Sequence, residues 1–207
     1  MSDIRKEHKK EFSGSGRIGL AVMRLQPPHR GHMNLINRML QDCDTAIIGF
    51  GSAQLSGVAR HPFTYEQRVE MVQTVFGDHF QPLPLTDINP DATDDEWMDH
   101  ILAAIRAHNL PAPTDYYTGS PADAQYYTGY FATIETPAHD IGMTRSYHGA
   151  GNDRRLHIID RVLSTLPPAE ELRTLIEKRD PAWHHYVPER LIGYIEAHYP
   201  AALRTPK

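Results

Sequence analysis

Two short apolar runs, Ile18 to Met23 and Thr45 to Phe50, flank a segment whose apolar residues Leu35, Ile36, Met39 and Leu40 fall at helical spacing. A strand, a helix and a strand in that order form a β-α-β unit, because parallel strands need a crossover between them. The alternation continues. Thr64 with Gln67 three places on is a capping box that opens a helix with Val69, Val72 and Phe76 on one face, and Thr93 with Glu96 repeats the device ahead of Trp97, Ile101 and Ile105. Pro82 to Ile88 and Asp115 to Thr118 read as further strands, and Thr133 to Thr136 as a weaker one. This pattern predicts the α/β class, a doubly wound parallel sheet with right-handed crossovers. Ligands of such sheets bind at the carboxyl ends of the strands, where the winding reverses.

The last third changes character. Leu156 to Leu166, Ala169 to Lys178 and Glu189 to Tyr199 are all helical in pattern, separated by Pro167, Pro168, Pro181 and Pro188, which predicts a C-terminal helical cap from about residue 152. Residues 1 to 17 mix Lys, Glu, His, Gly and Ser with no period that could bury a face, so they are predicted to form a solvated, mobile tail. That leaves 18 to 207 as one domain, in keeping with 207 residues of which 40% are hydrophobic.

Charge and cysteine narrow the function classes. With 21 Lys plus Arg against 26 Asp plus Glu, the net charge of -5 argues against a broad basic face for nucleic acid while leaving room for a local anion site. The lone Cys43 excludes a disulfide framework and every multi-cysteine metal site, and suits a reducing compartment, with the cytosol as the expectation. It reads as packing between helix and strand rather than as a nucleophile. No apolar stretch approaches the roughly 20 residues of a membrane helix. The charged opening from Met1 to Phe12 is followed by no apolar signal-peptide core, so neither membrane nor secretion is expected.

Gly14, Gly16 and Gly19 spell G-x-G-x-x-G, but the dinucleotide fingerprint must follow a strand and open a helix, and these glycines precede the first strand. They read as a flexible linker. No G-x-x-x-x-G-K-[ST] loop occurs, and the adjacent His184 and His185 do not share a helix face. The informative stretch is Arg24-Leu25-Gln26-Pro27-Pro28-His29-Arg30-Gly31-His32, between the first strand and the first helix. Two histidines at i and i+3 project from one side of a helix start, where free N–H groups and the helix dipole favour an anion. Gly31 leaves no Cβ to keep a phosphate away from the backbone. Arg24 at the strand's end faces the same crevice. Taken alone, H-x-x-H fits an ordinary turn, and a zinc site would need a third ligand that the spacing does not supply.

With Arg24, the proline pair and the strand-to-helix setting, the segment resembles the H-x-G-H signature of the nucleotidyltransferase superfamily, and within it the archaeal-type nicotinamide mononucleotide adenylyltransferases, whose pattern runs approximately G-R-x-Q-P-x-H-x-G-H. Met23 stands where that glycine is usual. Gly51-Ser52-Ala53-Gln54-Leu55-Ser56 resembles the family's G-S-A-Q segment, and Arg60-His61-Pro62-Phe63-Thr64 its N-P-F-T turn. Asp87-Ile88-Asn89, Trp97 and Tyr117-Thr118-Gly119-Ser120-Pro121 follow in the family's order.

The resemblance implies a Rossmann-like fold and transfer of AMP from ATP to nicotinamide mononucleotide, with Mg²⁺ arriving on ATP. It implies a catalytic set of His29, His32, Arg24 and Arg154, and a substrate-binding set of Gln26, Gly31, Arg60, Asp87, Trp97, Thr118, Gly119, Ser120, Gly149 and Gly151. It further suggests a homo-oligomer whose partners are small molecules. Trp97 stacks on nicotinamide in the family, although at helical spacing with Ile101 it also fits a core position. One motif departs. The family closes its site with an S-x-T-x-x-R helix start, and the register here gives Gly149-Ala150-Gly151-Asn152-Asp153-Arg154, which keeps the arginine and the small residues but has neither hydroxyl. The rival readings are a sister transferase forming FAD, a CDP-alcohol or dephospho-coenzyme A, and a catalytically weak sensor of NAD or ATP.

Overall fold

The computed structural model describes residues 16–119, 124, 127, 133–134, 144–149, 154–159 and 168–204. Five strands run parallel: β1 (Ile18–Met23), β2 (Thr45–Phe50), β3 (Gln81–Pro84), β4 (Asp115–Thr118) and β7 (Arg155–Ile159). Two more complete the order β3-β2-β1-β4-β7-β6-β5: β6 (Thr144–Gly149) pairs antiparallel with β7, and β5 (Thr133–Ile134) antiparallel with β6. Among the described residues the bounded α-helices are α1 (Arg30–Asp42), α2 (Tyr65–Phe76), α3 (Asp94–Ala107), α4 (Ala169–Glu177) and α5 (Glu189–His198), and Ala124 and Tyr127 are also helical. Winding runs outward from β1 through β2 to β3, then resumes on the other side at β4, so the switch point lies between β1 and β4.

Successive strand residues point to opposite faces and build two apolar layers. Leu20, Ile47 and Tyr116 pack with Met98, Ile101 and Ile105 of α3. Their chain neighbours Ala21, Ile48 and Tyr117 pack with Met33, Ile36 and Met39 of α1 and Val72 of α2. A third cluster joins Phe63 and Met71 to Leu172, Ile176, Trp183, Leu191 and Ile195, which seats the C-terminal helices on α2. Both expected capping boxes form, at Thr64 with Gln67 and at Thr93 with Glu96.

Three expectations are corrected. Leu156 to Leu166 was expected to be helical, but its first residues belong to strand β7, paired with β4 from Asp115 opposite Arg155 to Thr118 opposite Ile158. Among the described residues the first helix after β7 begins at Ala169, and residues 160–167 lie outside them. The third strand is shorter than Pro82 to Ile88, because Pro82 and Pro84 bring no N–H and confine it to the sheet edge. Arg17, expected in the solvated tail, forms an ion pair with the buried Asp115. Residues 1–15 lie outside the described residues. Gly19 of the G-x-G-x-x-G stretch is a packing residue, since a Cβ there would meet Met39 Cγ at 2.6 Å and Cys43 Sγ at 3.0 Å.

At the amino ends of the strands, Asp115 is fully buried. Thr114 Oγ1 donates to its Oδ2 at 2.7 Å, and His157 Nε2 and Arg17 Nε lie 2.7 and 3.2 Å from its Oδ1. Burial alone would raise this carboxyl, but hydrogen bonds from His157, Arg17 and Thr114 hold it well below the usual carboxylate range.

Candidate active site

A cleft of about 1420 Å³ opens at the carboxyl ends of β1, β2 and β4, where the switch point places it. Pockets for a single small ligand span about 300 to 1,000 Å³, so this one has room for two nucleotide-sized molecules. Ten of the expected site residues line it: Arg24, Gln26, His29, Gly31, His32, Arg60, Asp87, Trp97, Thr118 and Gly119.

The histidines do more than project from a helix start. His29 is the N-cap of α1, and its Nδ1 accepts the Gly31 N–H at 3.2 Å. His32 Nδ1 accepts the His29 N–H at 3.2 Å, making a capping box of two imidazoles whose rings stack at 3.7 Å. Because each Nδ1 is an acceptor, the proton of each neutral ring resides on Nε2, so both rings present an N–H donor on their far edge. His29 is 4% exposed, which limits competition from water.

The loops around the cap are cross-tied. Gln26 donates from Nε2 to Phe63 O at 2.8 Å and accepts the Phe63 N–H on Oε1 at 3.0 Å, so its amide binds one loop to another. Asp87 accepts from Ser52 Oγ at 2.8 Å and from Gln54 Nε2 at 3.0 Å, joining the loop after β3 to the Gly51 segment. Leu25 (φ +53°) and Ser52 (φ +51°) leave β1 and β2 in the left-handed region, which costs non-glycine residues energy and is concentrated at functional sites.

Of the expected closing motif at 149–154, the described residues are Gly149 and Arg154. Arg154 stands just before Arg155, which is opposite Asp115 in register, and Gly149 ends β6 beside it. Both therefore sit at the amino end of β7, across the sheet from the cleft. Gly151 and Ser120 lie outside the described residues. The helix that does follow β7 into the cleft is α4, where Pro168-Ala169-Glu170-Glu171-Leu172-Arg173 puts an arginine at the sixth place of the S-x-T-x-x-R spacing. Ala169, Glu170 and Arg173 line the cleft, and Arg173 Nη1 donates to Gln26 O at 3.3 Å. Among the described residues no side chain caps α4, which leaves its first N–H groups as donors facing the cleft. Glu170 brings an acid where the family has a hydroxyl.

Sequence reading also passed over His61. It lines the cleft at 5% exposure, its Nδ1 has no hydrogen-bond partner among the described residues, and burial together with Arg24 and Arg60 pushes its pKa down. Its backbone is fixed by a two-way pairing with Val58.

Comparison with known proteins agrees with this layout. Residues 24–116 match the Cytidylyltransferase-like family. A nicotinamide-nucleotide adenylyltransferase of Methanospirillum hungatei JF-1 is 38% identical over 105 residues, 49% of this chain and 56% of that protein. So the chain spans little more than half the length of that relative. The enzyme of the same name from Methanocorpusculum labreanum is 34% identical over 182 residues, 86% of this chain and 90% of that protein. Among solved structures, a bifunctional NMN adenylyltransferase/ADP ribose pyrophosphatase from Francisella tularensis, complexed with AMP and a manganese ion, superposes with a TM-score of 0.59 at 20% identity, covering 90% of this chain and 51% of that one. That likeness is one of fold. With 34% identity sustained over most of both chains, the protein belongs to the nicotinamide-nucleotide adenylyltransferase family.

Proposed function

We propose that the protein transfers the adenylyl group of ATP to nicotinamide mononucleotide, releasing pyrophosphate and leaving NAD. The observation that carries this reading is the meeting, in one cleft, of the His29–His32 cap with the uncapped start of α4 and Arg173. An oxygen of the mononucleotide 5′-phosphate attacks the α-phosphorus of ATP. A P–O bond forms there as the bond to the β-phosphate breaks, and pyrophosphate leaves with the electron pair. The attacking phosphate is ionised at neutral pH, so catalysis is a matter of positioning and charge stabilisation and needs no enzyme nucleophile. Cys43 suits packing, its thiol pushed up to about 11 by burial.

In this scheme the Nε2–H groups of His29 and His32 donate to α- and β-phosphate oxygens as charge grows on them. Arg173, with the first N–H groups of α4, takes the β- and γ-phosphates, the role the sequence reading gave to Arg154. Arg24 and Arg60 face the reacting phosphates, Trp97 stacks on nicotinamide, and Thr118 and Gly119 lie beside adenosine. The described residues contain no cluster of three His, Cys, Asp or Glu. A Mg²⁺ arriving on ATP would be held by the phosphates and water and would neutralise charge on the leaving group. No helix among the described residues is long and apolar enough to cross a membrane. We place the reaction in the cytosol, in a homo-oligomer as the family resemblance suggests.

Glu170 and the missing hydroxyls favour one second reading, a binder that turns ATP over slowly. A pyrophosphate-release assay offering nicotinamide mononucleotide, flavin mononucleotide, phosphocholine with CTP, and phosphopantetheine tests both. Release matched by NAD with the first acceptor alone is the expected result. Release with another acceptor overturns the substrate, and tight binding without release establishes the sensor.

A further inference from the structure

Arg68 of α2 is fully buried, a rare condition for an arginine. Among the described residues no carboxylate forms an ion pair with it. Its guanidinium donates instead to backbone carbonyls: Nη1 to Arg24 O and Gly51 O, both at 2.8 Å, Nη2 to Ser52 O at 3.4 Å, and Nε to Thr64 O at 3.2 Å. Burial lowers its pKa to about 10, which leaves it charged at neutral pH. A buried cation with no carboxylate in ion-pair contact is costly, so the carbonyls it satisfies must matter to the fold or to the site.

Those carbonyls are specific. Arg24 O and Gly51 O belong to the peptide groups that enter the two left-handed residues, Leu25 and Ser52. From these two exits come Arg24, which lines the cleft, and Ser52, whose hydroxyl holds Asp87. One planar fork therefore spans the strained ends of β1 and β2, in a geometry that a neutral side chain or a point charge cannot reproduce.

We propose that Arg68 is a positioning residue for phosphate recognition: by holding the Arg24–Leu25 and Gly51–Ser52 peptide groups, it fixes the side of the cleft that receives the phosphate of the mononucleotide. The proposal rests on the adenylyltransferase reading. It separates Arg68 from an ordinary core residue, whose loss would weaken all ligands alike.

The test compares nicotinamide mononucleotide with nicotinamide riboside, which lacks only the phosphate, by calorimetry on the wild type, Arg68→Lys and Arg68→Met. Phosphate-dependent binding by the wild type supports the underlying reading, and its absence removes both. Given that binding, the expected result is that Arg68→Lys reduces the affinity ratio of mononucleotide to riboside about tenfold, the fork being lost while the charge remains. Riboside affinity should change little, and kcat should fall at saturating substrate. Arg68→Met should reduce the ratio further, and Lys keeps the proposal testable if the Met variant does not fold. An unchanged ratio in Arg68→Lys overturns the proposal, as does an equal loss for both ligands accompanied by a lower melting temperature.

Discussion

His29 and His32 cap one helix with each other: each imidazole Nδ1 accepts a backbone N–H at 3.2 Å while the two rings stack at 3.7 Å. The arrangement fixes ring orientation and tautomer together, so the donors are set before substrate arrives. His32→Ala should lower kcat by about 10² to 10³, the loss typical of one donor to developing charge, with a smaller change in KM. His29→Asn is the companion variant. Asn caps helices well, so melting should stay near the wild type while kcat falls. Steady-state kinetics with thermal melts checks both, and an unchanged kcat in either removes that ring from the chemistry.

Arg173 lines the cleft and Arg154 stands at the far end of β7, which makes the two arginines a direct test of the closing motif. Arg173→Lys should cost about 10²-fold in kcat/KM for ATP, because a point charge cannot place two N–H groups on two phosphate oxygens. Arg154→Lys should stay within about twofold of the wild type, as surface changes away from a site do. The reverse ranking in ATP-dependent kinetics would restore the 149–154 register.

Asp115 should make the fold sensitive to acid. Its folded-state pKa lies below its unfolded one, so the stability it contributes is complete above about pH 4, the unfolded value, and is lost as pH falls toward the folded one. Asp115→Asn should cost roughly 3 to 5 kcal/mol at pH 7, because Arg17 and His157 lose their partner. Denaturant melts from pH 7 down to about 2 should show wild type and variant converging below pH 4. A constant difference across that range would assign the stability to packing instead.

What was legible in the sequence was local chemistry. Thr64 with Gln67 and Thr93 with Glu96 mark their helix starts because the capping box is complete within four residues. His29 and His32 announced themselves for the same reason. The strand at Arg155–Ile159 did not, since Leu156, Ile158 and Ile159 fit a short helix as well as a strand, and only the pairing with β4 decides between them. Read as a helix, that segment makes Arg154 the arginine of a helix start, whereas as strand β7 it leaves Arg154 at the strand's amino end. The signal lay in Pro168 to Arg173, a helix opening with Leu172 and Ile176 on its buried face. Arg68 gave no sign at all, because apart from Thr64 O one turn back its partners are backbone carbonyls 16 to 44 residues away.

Trp97 is both a core and a cleft residue. It packs against the α3 side of the sheet, lies 5.9 Å from His100 in a stacked arrangement, and lines the cleft with part of its surface open. Trp97→Ala should therefore lower the melting temperature, though by less than the roughly 3 to 5 kcal/mol of a fully buried Trp. If the indole stacks on nicotinamide, the same change should also weaken the mononucleotide by about 1 to 3 kcal/mol, the range for an aromatic platform under a base. Phe and Leu separate the two contributions, since both restore apolar contact with the neighbours of Met98 and Ile101 but only Phe restores a π-face. Trp97→Phe should recover most of the affinity, and Trp97→Leu should recover melting without recovering binding. Calorimetry with the mononucleotide and apo melts on the three variants check this. Affinity that follows the melting temperature through Ala, Leu and Phe would make Trp97 a core residue alone and leave the nicotinamide ring to be recognised by other residues of the cleft.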